Sequence, residues 1–121
     1  IDYKTGKPLT DWEKGPIYQK LKAHHYRQQL YFYHLLLNNS KDWHSYEVLS
    51  SGLEFVEPTD DGQVASLAIE EVDQEDLDRF TRLLCKVWDK IKSADFPDTS
   101  HYPEDHKGIL QFEQDLLDGV I

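Results

Sequence analysis

The chain has 121 residues, 39% of them hydrophobic, with three Trp, seven Tyr and five Phe, which suffices for one modest core. Its net charge of −10 excludes a simple nucleic-acid clamp, whose affinity comes from basic groups displacing counterions at phosphates. The single Cys85 excludes an intramolecular disulfide and any Cys-rich zinc or iron–sulfur site.

The charge is uneven. Residues 1–44 hold seven Lys/Arg against four Asp/Glu, and residues 45–121 hold six against nineteen, so a polyanion would approach the N-terminal third. The acidic stretches "EPTDD" and "EEVDQEDLD" read most simply as a solvated face. No charged-then-apolar leader is present, the longest apolar run falls short of a membrane span, and the lone cysteine fits a reducing compartment, so a cytoplasmic protein with no membrane partner is expected. The chain lacks methionine and begins inside what reads as a strand. Residues 1–121 are therefore expected to be a single fragment of a longer polypeptide.

The first strand is expected over residues 1–5. Side chains alternate along a strand, so Asp2 and Lys4 share one face. The pair admits two readings: a surface ion pair, or a metal held by Asp2 with Lys4 aimed at a substrate phosphate. Gly6, Pro8 and Gly15-Pro16 mark a loop, and Pro16 suits a helix start because its missing N–H is not needed there. A helix over residues 17–38 follows from Tyr26, Leu30, Tyr33 and Leu37, which recur at the spacing of one helical face. Its second half, "LYFYHLLL", is apolar nearly all round and predicts burial between two layers.

An antiparallel hairpin is predicted over 45–57 and 63–71, where two alternating segments flank the Asp-Gly turn chemistry of "TDDGQ". Gly52 inside its first strand suggests a bulge or bend. Asp73 is an N-cap candidate for a helix over 74–94 with the apolar stripe Leu77, Phe80, Leu84, Val87, Trp88 and Ile91. A last amphipathic helix runs through Ile109, Phe112, Leu116 and Leu117 and stops at Gly119. The order β-α-β-β-α-α is an α+β arrangement with a mixed sheet. The first strand has no evident partner within the chain; its exposed edge would recruit another chain, which predicts a homodimer through that open edge.

Asp-x-Lys at a strand end, then a loop, then a helix bearing Gln-Leu-x-x-Tyr, resembles the PD-(D/E)XK nuclease superfamily in its RecB-like branch. The residues carrying the likeness are Ile1-Asp2-Tyr3-Lys4-Thr5-Gly6 and Gln29-Leu30-Tyr31-Phe32-Tyr33, and the downstream hairpin and helix follow the same branch. The resemblance implies a partial restriction-endonuclease-like α/β core, a mixed sheet flanked by helices, making up the C-terminal part of a nuclease domain. It implies that Asp2 is a ligand of magnesium or manganese, that the backbone carbonyl of Tyr3 completes a coordination position, and that Lys4 is catalytic at the attacking water and scissile phosphate. Gln29 and Tyr33 would lie near the site on the DNA-binding side. It further implies DNA as partner of the intact parent, a DNA-repair or recombination helicase-nuclease of the UvrD/Rep type.

The family's preceding acidic residues have no counterpart here, so the isolated piece is expected to be inactive. No iron–sulfur cluster is expected, because the C-terminal stretch lacks cysteines, and no zinc, because the six histidines form no tight ligand pair; solvated or capping histidines are expected instead. Cys85, beside an apolar stripe, reads as a buried structural thiol. The alternative is a non-catalytic protein-interaction module with an acidic face, in which Asp2 and Lys4 form a plain salt bridge.

Overall fold

The computed structural model describes all residues from Ile1 to Ile121 and divides into two compact units, Ile1–Val72 and Asp73–Ile121. The first contains strand β1 (Asp2–Lys4), helix α1 (Ile17–Asn38) and strands β2 (Ser51–Phe55) and β3 (Ser66–Ile69). The second contains helices α2 (Gln74–Ser93) and α3 (His106–Asp118). The order is the expected β-α-β-β-α-α, and the three strands form a mixed sheet in the order β1-β2-β3, in keeping with a partial restriction-endonuclease-like core.

The partner of β1 was not visible locally: β1 pairs parallel with β2, Asp2 opposite Leu53 and Lys4 opposite Phe55. A parallel pair needs a crossover of a dozen residues or more, and α1 supplies it. β2 then pairs antiparallel with β3, Leu53 opposite Leu67 and Gly52 opposite Ala68. The ladder runs through Gly52 without interruption, so the expected bulge is absent. What Gly52 provides is close approach, since a Cβ there would lie 3.1 Å from the Leu67 carbonyl oxygen. The hairpin strands are shorter than the alternation suggested, because pairing begins only at Ser51 and Ile69. Between them Gly62 turns the chain at φ 77°, donating its N–H to the Thr59 carbonyl at 2.8 Å.

One face of this sheet is the core of the first unit. Leu53, Phe55 and Leu67 pack with Ala23 and Leu30 of α1 and with Leu9 and Ala65. The β1–α1 loop is pinned across the sheet by Leu9 and by Trp12, whose indole N–H donates to the Ala68 carbonyl at 3.0 Å. Asp11 shapes that loop by accepting from the backbone N–H groups of Glu13 and Lys14, both at 2.8 Å, and these bonds hold its carboxyl below the usual carboxylate range.

α1 starts after Pro16 and ends at Asn39, whose side-chain amide donates to the Leu35 carbonyl at 2.8 Å. Its second half is not buried all round: Leu30 lies in the core, whereas Phe32, Tyr33, Leu36 and Leu37 are all exposed. A three-stranded sheet offers α1 a single layer, which Ala23 and Leu30 occupy, and the apolar residues around the rest of the helix meet no second one. No helix is long and apolar enough to cross a membrane.

In the second unit Asp73 caps α2, its carboxylate accepting from the Glu75 N–H at 2.8 Å, and Gly119 ends α3 at φ 72°. Leu77, Phe80 and Leu83 are buried, whereas Val87, Trp88 and Ile91, further along the expected stripe, are exposed. α3 has 13 residues against 20 in α2, too short to cover the whole stripe. Cys85 is exposed rather than buried, because at 3.6 residues per turn it lies roughly 140° around the helix from Phe80.

The Tyr102 hydroxyl donates to Asp115 Oδ2 at 2.5 Å, and Gln111 Nε2 donates to Oδ1 at 2.8 Å. The two bonds, Tyr102 first, hold the Asp115 carboxyl below its usual range, and the same carboxylate, aided by burial, pushes Tyr102 up to about 12. A tyrosine raised in the fold stabilises fully below its unfolded pKa of 10.0 and loses that contribution as pH climbs to about 12. Asp115, lowered in the fold, contributes above its unfolded pKa of 3.8 and loses that contribution as pH falls through its folded value. The stability difference between wild type and Tyr102→Phe should therefore be flat between about pH 5 and pH 9 and close at both extremes. Urea unfolding across pH measures it, and a difference that persisted undiminished to pH 12 would contradict the bond.

Candidate active site

Strand alternation puts the Asp2 and Lys4 side chains on the α1 side of β1, in register with Leu53 and Phe55. Tyr3 points its ring the other way and is 64% exposed. Ala23 and Leu30 seat α1 on the sheet, and this brings Tyr26, Gln29 and Tyr33, spaced i, i+3 and i+7, alongside β1.

The four predicted polar side chains close into one ring. Lys4 Nζ lies 3.0 Å from Asp2 Oδ2 and donates to Gln29 Oε1 at 2.6 Å. Gln29 Nε2 donates to the Tyr33 hydroxyl at 2.9 Å, and that hydroxyl donates to Asp2 Oδ2 at 3.4 Å, the longest link. The direction of each bond is forced. A lysine ammonium has no acceptor, so the glutamine must turn its carbonyl oxygen to it and its NH₂ to the tyrosine. The Asp2 and Lys4 side chains are 18% and 17% exposed, neither sealed from solvent nor free in it.

Tyr26 and Lys22 join the site without having been singled out from the sequence. The Lys4 ammonium sits 4.8 Å from the Tyr26 ring centroid, and Lys22 approaches the same ring at 5.7 Å, so two cations share one aromatic ring. The sequence signal for Tyr26 is its spacing three residues before Gln29, on the helical face it shares with Leu30 and Tyr33.

The donors at this end of β1 are hard oxygens. Asp2 contributes a carboxylate. The Lys4 carbonyl accepts from the Val56 N–H at 3.0 Å, and because successive carbonyls in a strand point to opposite sides, the Tyr3 carbonyl is directed to the side of β1 away from β2. Such a set suits magnesium or manganese, which take oxygen ligands and retain several waters. No three His, Cys, Asp or Glu side chains gather anywhere in a group that could hold a metal ion. Among the histidines, His44 caps a turn, its Nδ1 lying 3.0 Å and 3.1 Å from the Ser40 and Lys41 carbonyls.

No curated protein and no solved structure matches the chain. The family model of the PD-(D/E)XK nuclease superfamily matches residues 1–103, a span that holds the whole Asp2–Lys4–Gln29–Tyr33 ring and most of both units. A match over so much of the chain, with the ring of polar side chains inside it, means that the protein belongs to the PD-(D/E)XK nuclease superfamily.

Proposed function

We propose that this chain is the C-terminal part of a RecB-like nuclease domain that hydrolyses DNA phosphodiesters with magnesium or manganese. The observation that carries the reading is the closed ring of Asp2, Lys4, Gln29 and Tyr33. Two residues from a three-residue strand and two from a helix begun a dozen residues later close into one hydrogen-bonded ring, which a chance surface ion pair does not require. The RecB-like assignment rests on Gln29 and Tyr33 following Asp2-x-Lys4, and the parent, on family likeness, is a DNA-repair or recombination helicase-nuclease.

Hydrolysis joins a water oxygen to phosphorus, breaks the P–O bond to one sugar and delivers a proton to the departing oxygen. Asp2 and the Tyr3 carbonyl would hold the divalent ion, which would supply charge neutralisation at the phosphate and a lower pKa for coordinated water. Lys4 presents a fixed positive charge where negative charge grows on the phosphate oxygens. Gln29 holds the Lys4 ammonium in place, and Tyr33 orients the Asp2 carboxylate from the opposite side. The Tyr26 ring lies 4.8 Å from the Lys4 ammonium and helps to fix it, and Lys22 adds a second positive charge 5.7 Å from the same ring.

Affinity for the ion follows the number and charge of the ligands. With a single carboxylate, the 121-residue chain should bind magnesium only at millimolar strength or weaker and should not cut DNA. The deciding test is cleavage of single-stranded and double-stranded DNA by a polypeptide carrying the complete domain and by its Asp2→Ala and Lys4→Ala variants. Undiminished cleavage by either would reduce Asp2 and Lys4 to a plain ion pair, and no cleavage by the complete domain itself would favour the non-catalytic interaction module.

A further inference from the structure

The first unit carries a second feature at the end of α1 that passes the Asp2 carboxylate. One helical turn beyond Tyr33, Leu37 enters a groove of about 380 Å³ whose other walls are Trp43, Tyr46, Glu47, Val48, Leu49 and Ser50. The Trp43 and Tyr46 rings stand 5.4 Å apart at 48° and are 54% and 64% exposed. Neither ring is in the core, yet the loop that carries them is held. The His44 N–H donates to the Ser40 carbonyl at 3.0 Å and the Tyr46 N–H to the Trp43 carbonyl at 3.0 Å. A fixed loop that leaves two large aromatic faces in water presents a surface for something flat.

Charge indicates what that is. The chain is strongly acidic, but α1 contains Lys20, Lys22 and Arg27 and not one Asp or Glu. Along one stripe of α1, Lys22, Tyr26, Gln29, Tyr33 and Leu37 follow at spacings of four, three, four and four, so they line up on one side of the helix. The stripe runs from the Lys22 and Lys4 cations, past the Asp2 carboxylate, to the Trp43–Tyr46 groove. A polyanion lying along it would have its backbone at the cations and a base at the groove. Duplex bases are already stacked on one another and offer no free face. An unpaired base does.

We propose that Leu37, Trp43 and Tyr46 form a stacking seat for an unpaired base of single-stranded DNA next to the phosphate engaged at Asp2 and Lys4. The seat gives the site a preference for single strands and frayed ends over closed duplex, and it rests on the nuclease reading above. Base–aromatic stacking tolerates any base, so the selection is for strandedness and not for sequence.

The test is binding without divalent ion, so that no cleavage intervenes. Fluorescence anisotropy of the 121-residue chain is followed with a short labelled oligothymidylate and with an abasic strand of the same length, which keeps every phosphate and lacks the bases. Wild type should hold the oligothymidylate more tightly than the abasic strand. Trp43→Ala and Tyr46→Ala should each weaken the oligothymidylate roughly tenfold to a hundredfold, the worth of one stacked base, and leave the abasic strand unchanged. Trp43→Phe should restore most of the loss. Equal weakening of both strands, unchanged oligothymidylate binding, or no binding of either strand by wild type would each overturn the seat. Loss of a dimer in sedimentation on Trp43→Ala, with DNA binding intact, would make the groove a protein-docking surface instead. None of these results bears on cleavage by the Asp2→Ala and Lys4→Ala variants, so failure of the seat and failure of the nuclease reading are separable.

Discussion

In a polypeptide carrying the complete nuclease domain, Lys4→Ala is expected to slow phosphodiester hydrolysis by roughly 10²–10³, the loss that follows deletion of one transition-state stabiliser. Asp2→Ala is expected to abolish cleavage by removing the carboxylate ligand. The two variants should differ in a second measurement. Calorimetric titration with magnesium should find binding retained in Lys4→Ala and lost in Asp2→Ala, because Lys4 adds charge beside the ion's site without ligating it. The geometry also predicts where Lys4→Ala does damage besides chemistry. Its removal leaves Gln29 Oε1 without the donor it now meets at 2.6 Å and Asp2 with Tyr33 as its neighbour in the ring. The Tyr33→Phe variant, which breaks the ring at its longest bond, should therefore fall well short of the Lys4→Ala loss. Equal losses in Lys4→Ala and Tyr33→Phe would mean that the ring acts as a scaffold and that the ammonium has no separate role at the phosphate.

Phe55→Ala should cost the first unit about 3–5 kcal/mol, the range for emptying a buried phenylalanine site. Phe55 is 1% exposed, lies on the middle strand β2 opposite Lys4, and meets the Tyr26 ring at 6.2 Å and 55°. It is thus the floor beneath the aromatic face on which the Lys4 ammonium rests. Native-state amide exchange measures the cost: protection in Ile1–Val72 should fall by that amount. A loss below about 1 kcal/mol in the first unit would contradict the core placement, since truncations that small occur where a side chain leaves no cavity. The variant links stability to function as well. With the floor removed Tyr26 can tilt, and any cleavage by the complete domain should fall even though no polar group of the ring has been altered.

Much of the architecture is a local property of the chain. Pro16 and Asn39 bound α1, and the 3.6-residue recurrence through Tyr26, Leu30 and Tyr33 fills it, so its limits of Ile17 and Asn38 follow from interactions within a turn or two. The same holds for the Asp73 cap of α2, for Gly62 in the hairpin turn and for Gly119 at the end of α3, where a positive φ selects glycine. Alternation alone put Asp2 and Lys4 on one face, and spacing alone put Gln29 and Tyr33 on one face.

Which of those faces meet was decided only by the fold. Parallel pairing of β1 with β2 joins residues about fifty positions apart, and no local pattern encodes it, because the strand's own alternation is equally content with any neighbour. Burial is likewise a sum over distant elements. Phe32, Leu36 and Leu37 of α1, the end of the α2 stripe and Cys85 are all exposed because the sheet and α3 run out before reaching them, an extent that helical periodicity does not contain. The sequence by itself determined the elements, their order and the residue types available for chemistry. The tertiary structure decided that the Leu53–Phe55 surface turns α1 so that Gln29 and Tyr33, and not another pair on the same helix, close on Asp2 and Lys4, since a helix rotates to bury its best-packing stripe and carries its polar residues wherever that rotation leaves them.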